Sequence, residues 1–351
     1  EYAEFADPEI VTSDIINEID TQKARGTPFF ITAFYSVTHF PYPGPYPYYN
    51  RFTNRNYEGP YKYSKQRIVS LDKSATGEKE MSDEDISHIR SLYDGCLNAF
   101  DVAVGKIIQH LSNKNLLEDT IILITSDHGE NLYENKYGMG HGEHLRGSYS
   151  IKVPCILHGP GVASNRKITI QCSTIDLAPT LCTLSNIEIP ASFQGIPLPV
   201  TGNFNEKKTR KIASPRRIQS YTETGIWFDN RGDFFFQDQR IMYPEITGMA
   251  TVDMKYHHEI VITPYYDRIV ETAKHRSILY NNYKLIYIPT RAGIEYELYN
   301  LDSLNPEHDI SERMPGMVTY LKKKLFSLIL ESGNYAIENE YILRVNKKMP
   351  Q

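Results

Sequence analysis

The sequence is poor in cysteine, and the cysteine it has is arranged as neither a scaffold nor a metal finger. Four cysteines, Cys96, Cys155, Cys172 and Cys182, fall in 351 residues with no Cys-x-x-Cys pair and no zinc-finger spacing. Three of them sit in apolar patterns, which predicts buried free thiols. No apolar run reaches the roughly 18 residues of a membrane span, and no signal peptide is legible. A cationic surplus is missing too: 38 Lys and Arg stand against 43 Asp and Glu, a formal net charge of −5. That balance argues against a nucleic-acid surface, which needs a basic excess. An anionic ligand must therefore be met by local positive charge or by a metal, since the global field is unhelpful. Internal repeats and low-complexity tracts are absent as well.

What is present is ordinary for a globular chain, with 40% hydrophobic and 23% charged residues. The length suits one large domain or a large domain with a smaller one attached. Tyrosine is the exception: there are 26, many of them between Tyr35 and Tyr63.

Pro28 to Val37 is nearly continuous in apolar and β-prone residues, which predicts a strand buried on both faces. Ser82 then opens a long predicted helix, with Ser82 and Asp85 as a capping box and Met81 and Ile86 as a hydrophobic staple. Ile86, Ile89, Tyr93, Leu97, Phe100, Val104, Ile107, Ile108 and Leu111 recur at a helical period, and the helix should stop near Asn113 to Asn115. Further short strands are predicted at Thr120 to Thr125, Val153 to Leu157 and Ile168 to Ile170, with a helix from about Thr174 to Leu184. Strand, crossover helix and strand make a right-handed βαβ unit. The predicted fold class is therefore α/β, a doubly wound and mostly parallel sheet flanked by helices.

Residues 201–272 read as a linker or insertion, polar and basic over Thr201 to Arg217, either a solvated linker or a phosphate or headgroup patch. From 273 to 351 the pattern changes to a small C-terminal antiparallel subdomain. Its strands are expected at Ile278 to Tyr280, Tyr283 to Ile288 and Tyr296 to Leu301, with a helix near Met317 to Glu331.

In open α/β sheets, ligands bind beyond the carboxyl ends of the strands. Ser126-Asp127-His128-Gly129-Glu130 follows one predicted strand, and an adjacent carboxylate and imidazole on a tight turn can face one cation. Taken alone, such a turn is also a common connection. Thr38-His39-Phe40-Pro41 follows another strand, where a lone histidine is more often structural. In Gly140-His141-Gly142-Glu143-His144-Leu145, the flanking glycines allow close backbone approach to a ligand, or simply a flexible loop. The long Tyr- and Pro-rich stretch from Pro41 to Tyr63 is expected to shape a pocket.

The order and spacing of several motifs carry a resemblance. I-T-S-D-H-G-E, then G-H-G-x-x-L and V-P-C-I-L-H-G-P-G, resembles the metal-loop region of the sulfatase family of the alkaline phosphatase superfamily. F-F-I-T-A-F-Y-S-V-T-H-F-P-Y, S-T-I-D-L-A-P-T-L, F-Q-G-I-P-L and the late Y-K-L-I-Y with E-L-Y-N-L-D are similar to further landmarks of that family. The resemblance spans nearly the whole chain and is weakest over Thr201 to Thr272. It implies an α/β enzyme that hydrolyses sulfate esters with a divalent metal ion, calcium first, with magnesium, manganese or zinc as alternatives. Asp127 and His128 match metal ligands, His39 and His141 match catalytic residues that contact the transferred group, and His144 and Arg146 match further substrate-pocket positions.

One departure from the family is plain. No cysteine here is followed by x-Pro/Ala-x-Arg: Cys96 precedes Leu97-Asn98, and Cys155 precedes Ile156-Leu157. The paired acids that open family members are missing too, so the chain is expected to be the C-terminal part of its enzyme, inactive by itself. A formylglycine nucleophile would belong to the missing N-terminal segment, as would a membrane anchor. The implied substrate is a small-molecule or glycan sulfate ester, not a nucleic acid, and the implied protein partner is the chain's own N-terminal fragment or a second copy. The implied compartment is periplasmic, extracellular or lysosome-like. Two alternatives from the same superfamily are a phosphoryl or lipid-headgroup transferase and a non-catalytic member.

Overall fold

Helix α1, Pro8–Arg25, begins on Asp7, whose side chain accepts the Glu9 amide, and ends at Gly26 in the left-handed region at φ 66°. This computed structural model describes residues 7–64, 81–134, 139–142, 144–201, 219–225, 241, 246–256 and 258–345. Two units divide it: Glu1–Ile122 with His158–Pro160, and Leu123–Leu157 with Gly161–Gln351. The basic stretch Lys207 to Arg217 lies outside the described residues.

In the first unit, helix α2 runs Asp83–Asn113 from the N-cap Ser82, with Ser82 and Asp85 forming the expected reciprocal capping box. It stops where expected, and Asn115 turns to φ 56°. Its buried stripe differs from the apolar period read in the sequence. Leu92, Gly95, Cys96, Ala99 and Ala103 are buried, whereas Leu97 and Ile108 are exposed. Small residues carry this face because close approach favours them: a Cβ on Gly95 would meet the Tyr48 carbonyl at 2.7 Å. Ile15 and Ile19 of α1 and Leu111 of α2 form one core, with Phe29, Ile31 and Tyr35 packed against it.

Those three residues explain a correction. Pro28 to Val37 is not a strand; among the described residues, 27–36 belong to no sheet. One side of the segment packs on α1 and α2, while Phe30 and Phe34 are 84% and 68% exposed. The β-prone composition gives an extended path, but side-chain packing on helices substitutes for a ladder.

The tyrosine-rich stretch is also partly core. Tyr42, Tyr57 and Tyr61 are buried, whereas Tyr46 and Tyr63 are exposed.

Strand β1 is Ile122–Thr125, with Thr120 instead closing a short 3-10 turn. β2, Asn131–Leu132, pairs antiparallel with β3, Met139–Gly140. β4, Cys155–His158, pairs with β1 in a two-stranded sheet. The mixed α/β class stands. Of the expected doubly wound sheet, the described residues show this two-stranded β1–β4 pair. Ile168 to Ile170 forms no strand. A 3-10 turn, Thr174–Asp176, leads into α3, Leu177–Leu184. All four cysteines are free, yet Cys155 and Cys172 are exposed and only Cys96 is buried, so apolar neighbours in sequence overestimated their burial.

β5, Gln219–Glu223, falls in the stretch read as linker and is the edge strand of the largest sheet. A short turn of helix (α4, Ile246–Met249) precedes a hairpin of β6, Ala250–Asp253, and β7, Glu259–Ile262. Helix α5, Asp267–Ala273, leads to the expected meander: β8 Arg276–Tyr280, β9 Tyr283–Thr290 and β10 Gly293–Asn300. The sheet order is β10-β9-β8-β5, antiparallel throughout. Helix α6, Pro315–Leu330, covers one face, and a terminal hairpin joins β11, Tyr335–Glu338, to β12, Tyr341–Arg344.

Strand β9 is buried on both faces, which is why Tyr-Lys-Leu-Ile-Tyr-Ile does not alternate in polarity. Leu285 and Tyr287 point to α6, packing with Leu321, Leu325 and Ile329. Ile286 and Ile288 face the other way, with Tyr299 and Leu145. The period of two along β9 puts Lys284 on this second face too.

Candidate metal and anion site

Residues 126–130 leave the end of β1 in a turn that only glycine permits at its centre. A Cβ on Gly129 would lie 1.9 Å from the Tyr149 carbonyl oxygen and 2.8 Å from that of Lys152. The Gly129 amide donates to Ser150 O at 2.9 Å, so the turn rests against the backbone of 149–152. Asp127 and His128 lie just before this contact. The Asp127 carboxylate accepts the His128 amide at 3.0 Å and stands 3.6 Å from His128 Nε2.

The β2–β3 register supplies the next pair. Asn131 opposes Gly140, so Glu130 and His141 occupy the following rung. His141 Nδ1 and Glu130 Oε2 are 2.8 Å apart, and the Glu130 side chain is only 7% exposed. A carboxylate that deeply placed needs a cation or a hydrogen-bond donor. A carboxylate can only accept, so Nδ1 carries the proton in that bond. Gly140 and Gly142 flank His141 at φ 109° and 83°, which side-chain-bearing residues rarely adopt. The imidazoles of His128 and His141 stack at 3.5 Å between centroids.

The donor atoms of His128, Glu130 and His141 all lie within 4.8 Å of one another. Ligand atoms around one divalent ion, each roughly 2.0–2.6 Å from it, require a spacing of that order. Two imidazoles and a buried carboxylate therefore fit a divalent cation, with the Asp127 carboxylate next to His128 but outside this group of three. Glu130 was not singled out from the sequence, although the signal was there: a second carboxylate two residues beyond His128, across an obligatory glycine.

The remaining sequence candidates are placed differently. His144 is buried, and its Nδ1 accepts the Arg146 amide at 3.2 Å. Arg146 directs its guanidinium to Glu297 on β10, with Nε 2.9 Å from both carboxylate oxygens. His39 belongs to the first unit, exposed on a turn after residues 27–36, with Nδ1 2.7 Å from Phe40 O.

With this geometry in hand, comparison with known proteins is informative. The family model described as Sulfatase matches residues 2–187, just over half of the chain. Arylsulfatase K of Canis lupus familiaris is 30% identical over 151 residues, covering 42% of this chain and 27% of that protein. An ulvan-active sulfatase of Formosa agariphila is 22% identical over 325 residues, covering 85% of this chain and 59% of that protein. The chain thus spans from about a quarter to about three fifths of the length of these two relatives. Among solved structures, a protein of the Bacteroides thetaiotaomicron locus for metabolism of multiple glycosaminoglycans superimposes with TM-score 0.61 at 17% identity, over 94% of this chain and 59% of that one. A phosphonate monoester hydrolase of Silicibacter pomeroyi gives TM-score 0.52 at 17% identity, over 76% and 47%. These two likenesses establish the fold.

Proposed function

The chain belongs to the sulfatase family, and from that premise we propose that the whole protein hydrolyses sulfate esters with a divalent metal ion held partly by this chain. The observation that carries the reading is the convergence of His128, Glu130 and His141 beside Asp127, on turns that Gly129, Gly140 and Gly142 make possible. Asp127 and His128 are the assigned ligands, and Glu130 supplies a further oxygen or holds His141 in place. A divalent cation bound there supplies positive charge against the ester oxygens and makes a nucleophile more acidic.

The other residues are assigned to the anion. His141, its ring fixed by Glu130, donates to the negative charge that develops on the transferred group or its leaving oxygen. His144 is assigned to the same anion, His39 keeps an assignment to the transferred group on its motif match alone, and the guanidinium of Arg146 is engaged by Glu297. Calcium is the ion the family resemblance implies, and with His141 given to the anion the ligands assigned here, Asp127, His128 and Glu130, are mostly oxygen donors, which suits calcium, magnesium or manganese. None of the four cysteines stands in the Cys-x-Pro/Ala-x-Arg context, so the nucleophile is assigned to no residue of this chain. The substrate class is a sulfated small molecule or glycan, and the compartment extracellular, periplasmic or lysosomal. Among the described residues no helix is long and apolar enough to cross a membrane.

The test is metal analysis and turnover of a chromogenic aryl sulfate by the whole protein, native and Asp127→Ala. The expected result is stoichiometric divalent metal in the native protein, with loss of metal and at least about a hundredfold lower kcat/KM in the variant. Unchanged metal content together with unchanged turnover would refute the assignment.

A further inference from the structure

The loop that follows His141 is fastened to the C-terminal sheet at three successive residues. Leu145 buries its side chain against Ile286, Ile288 and Tyr299. Arg146 forms its forked ion pair with Glu297, and Glu297 in turn accepts the Tyr299 hydroxyl at 2.6 Å. Lys284, 2% exposed on β9, donates from Nζ to Leu145 O at 3.0 Å and also to Gly147 O, with the Tyr299 ring 5.2 Å away. A buried ammonium bound to two backbone carbonyls is costly unless something requires it. A loop backbone held at a set height above the sheet is such a requirement.

The fastening continues toward the site on both sides. Upstream, the Arg146 amide donates to His144 Nδ1, three residues after His141. Downstream, the same loop presents Ser150 O to the Gly129 amide and the Tyr149 carbonyl to the Gly129 α-carbon. Gly129 separates His128 from Glu130. A path of direct contacts therefore runs from β9 and β10, through residues 145–152, to Gly129 between His128 and Glu130. Glu130 carries it on to His141 through their 2.8 Å bond, all within the second unit.

We propose that Lys284 and Glu297 are positioning residues: they set the height of the 145–152 loop and thereby the geometry of His128, Glu130 and His141. This role rests on the sulfatase reading only for its effect on turnover; the mechanical part stands on the contacts alone. Arg146 then acts through its pair with Glu297, so what matters is the pair and not a cation at position 146.

Three variants of the whole protein test this: Lys284→Met, Glu297→Gln, and the swapped pair Arg146→Glu with Glu297→Arg. Each is measured for melting temperature, for kcat and KM on an aryl sulfate, and for backbone amide hydrogen exchange. The single variants should lower kcat per folded molecule about tenfold or more with KM little changed. They should also speed exchange at 145–152 and 128–130 while the β8–β9 ladder stays protected. The swapped pair should restore much of both relative to Glu297→Gln. If it restores slow exchange but not kcat, Arg146 contacts the anion directly and the positioning role assigned to it is wrong. If exchange at 128–130 is unchanged in both single variants, the clamp is refuted, whatever turnover does. A native protein with no sulfate-ester turnover would overturn the proposed function, and the exchange data would still judge the clamp.

Discussion

Glu130 and His141 occupy opposite positions on the rung just beyond the Asn131–Gly140 pair, and their side chains meet at 2.8 Å. Two strands of two residues each are thus enough to join a turn after β1 to a glycine-flanked loop 11 residues away. The carboxylate is the more buried partner, so the pair loses more when His141 is removed than when either group is trimmed in size.

Glu130→Gln should therefore be more than a loss of charge. The amide can present its NH2 to His141 and lose the fixed donor at Nδ1, and one oxygen donor leaves the metal group. Turnover should fall about 10–100-fold and metal affinity by a similar factor, with a melting temperature close to native. Metal titration by calorimetry checks this, and native-like affinity would remove Glu130 from the site.

Gly129→Ala has no room to succeed. Its Cβ would overlap the Tyr149 carbonyl oxygen, and backbone on both sides of the contact is fixed. A loss of about 1–3 kcal/mol is expected from overpacking, and His128 and Glu130 should both shift. Denaturant unfolding gives the first quantity and metal affinity the second. A stable variant with intact affinity would mean the turn is looser than described.

Ser82→Ala removes one half of the capping box on α2, where Ser82 Oγ accepts the Asp85 amide at 3.1 Å. About 1 kcal/mol should be lost, with a fall in melting temperature of roughly 1–2 °C in a chain of this size. Turnover at temperatures well below the transition should be unchanged, since no site residue lies on α2.

The sequence revealed those features whose cause is local. Ser82 and Asp85 mark a helix start by themselves, and Asn113 to Asn115 mark its stop, because capping involves residues three or four apart. The β8–β10 meander was readable from short β-prone runs and turn residues. What was not readable depended on partners far away in the chain. Pro28 to Val37 has strand composition but packs on α1 and α2 instead of joining a sheet. β5 lies in polar sequence and is a strand only because β8 offers it a ladder. In the site, Asp127, His128 and His141 stood out by motif. Glu130 stood in the same motif, but its pairing with His141 became visible only through the β2–β3 register, and the engagement of Arg146 only through Glu297, 151 residues on.

Lys284 gives the last prediction, one that needs no substrate. Burial pushes its ammonium down to about 8, against the weaker opposing pull of the Glu307 and Glu297 carboxylates, whereas an unfolded chain holds that proton to about 10.4. A lowered folded-state pKa on a lysine means the charged form is disfavoured in the native protein. The resulting destabilisation is fully present below about 8. Between that value and about 10.4 the unfolded chain binds more protons than the native one, so raising the pH favours folding. The slope from this one group is at most about 1.4 kcal/mol per pH unit. Lys284→Met has no proton to lose. Urea midpoints of the native protein and of Lys284→Met, taken from pH 7 to pH 10, should therefore show the native-minus-variant difference rising in favour of the native protein above pH 8. A difference that is flat across this range would show that Lys284 keeps an ordinary affinity for its proton, held charged by the Leu145 and Gly147 carbonyls it binds.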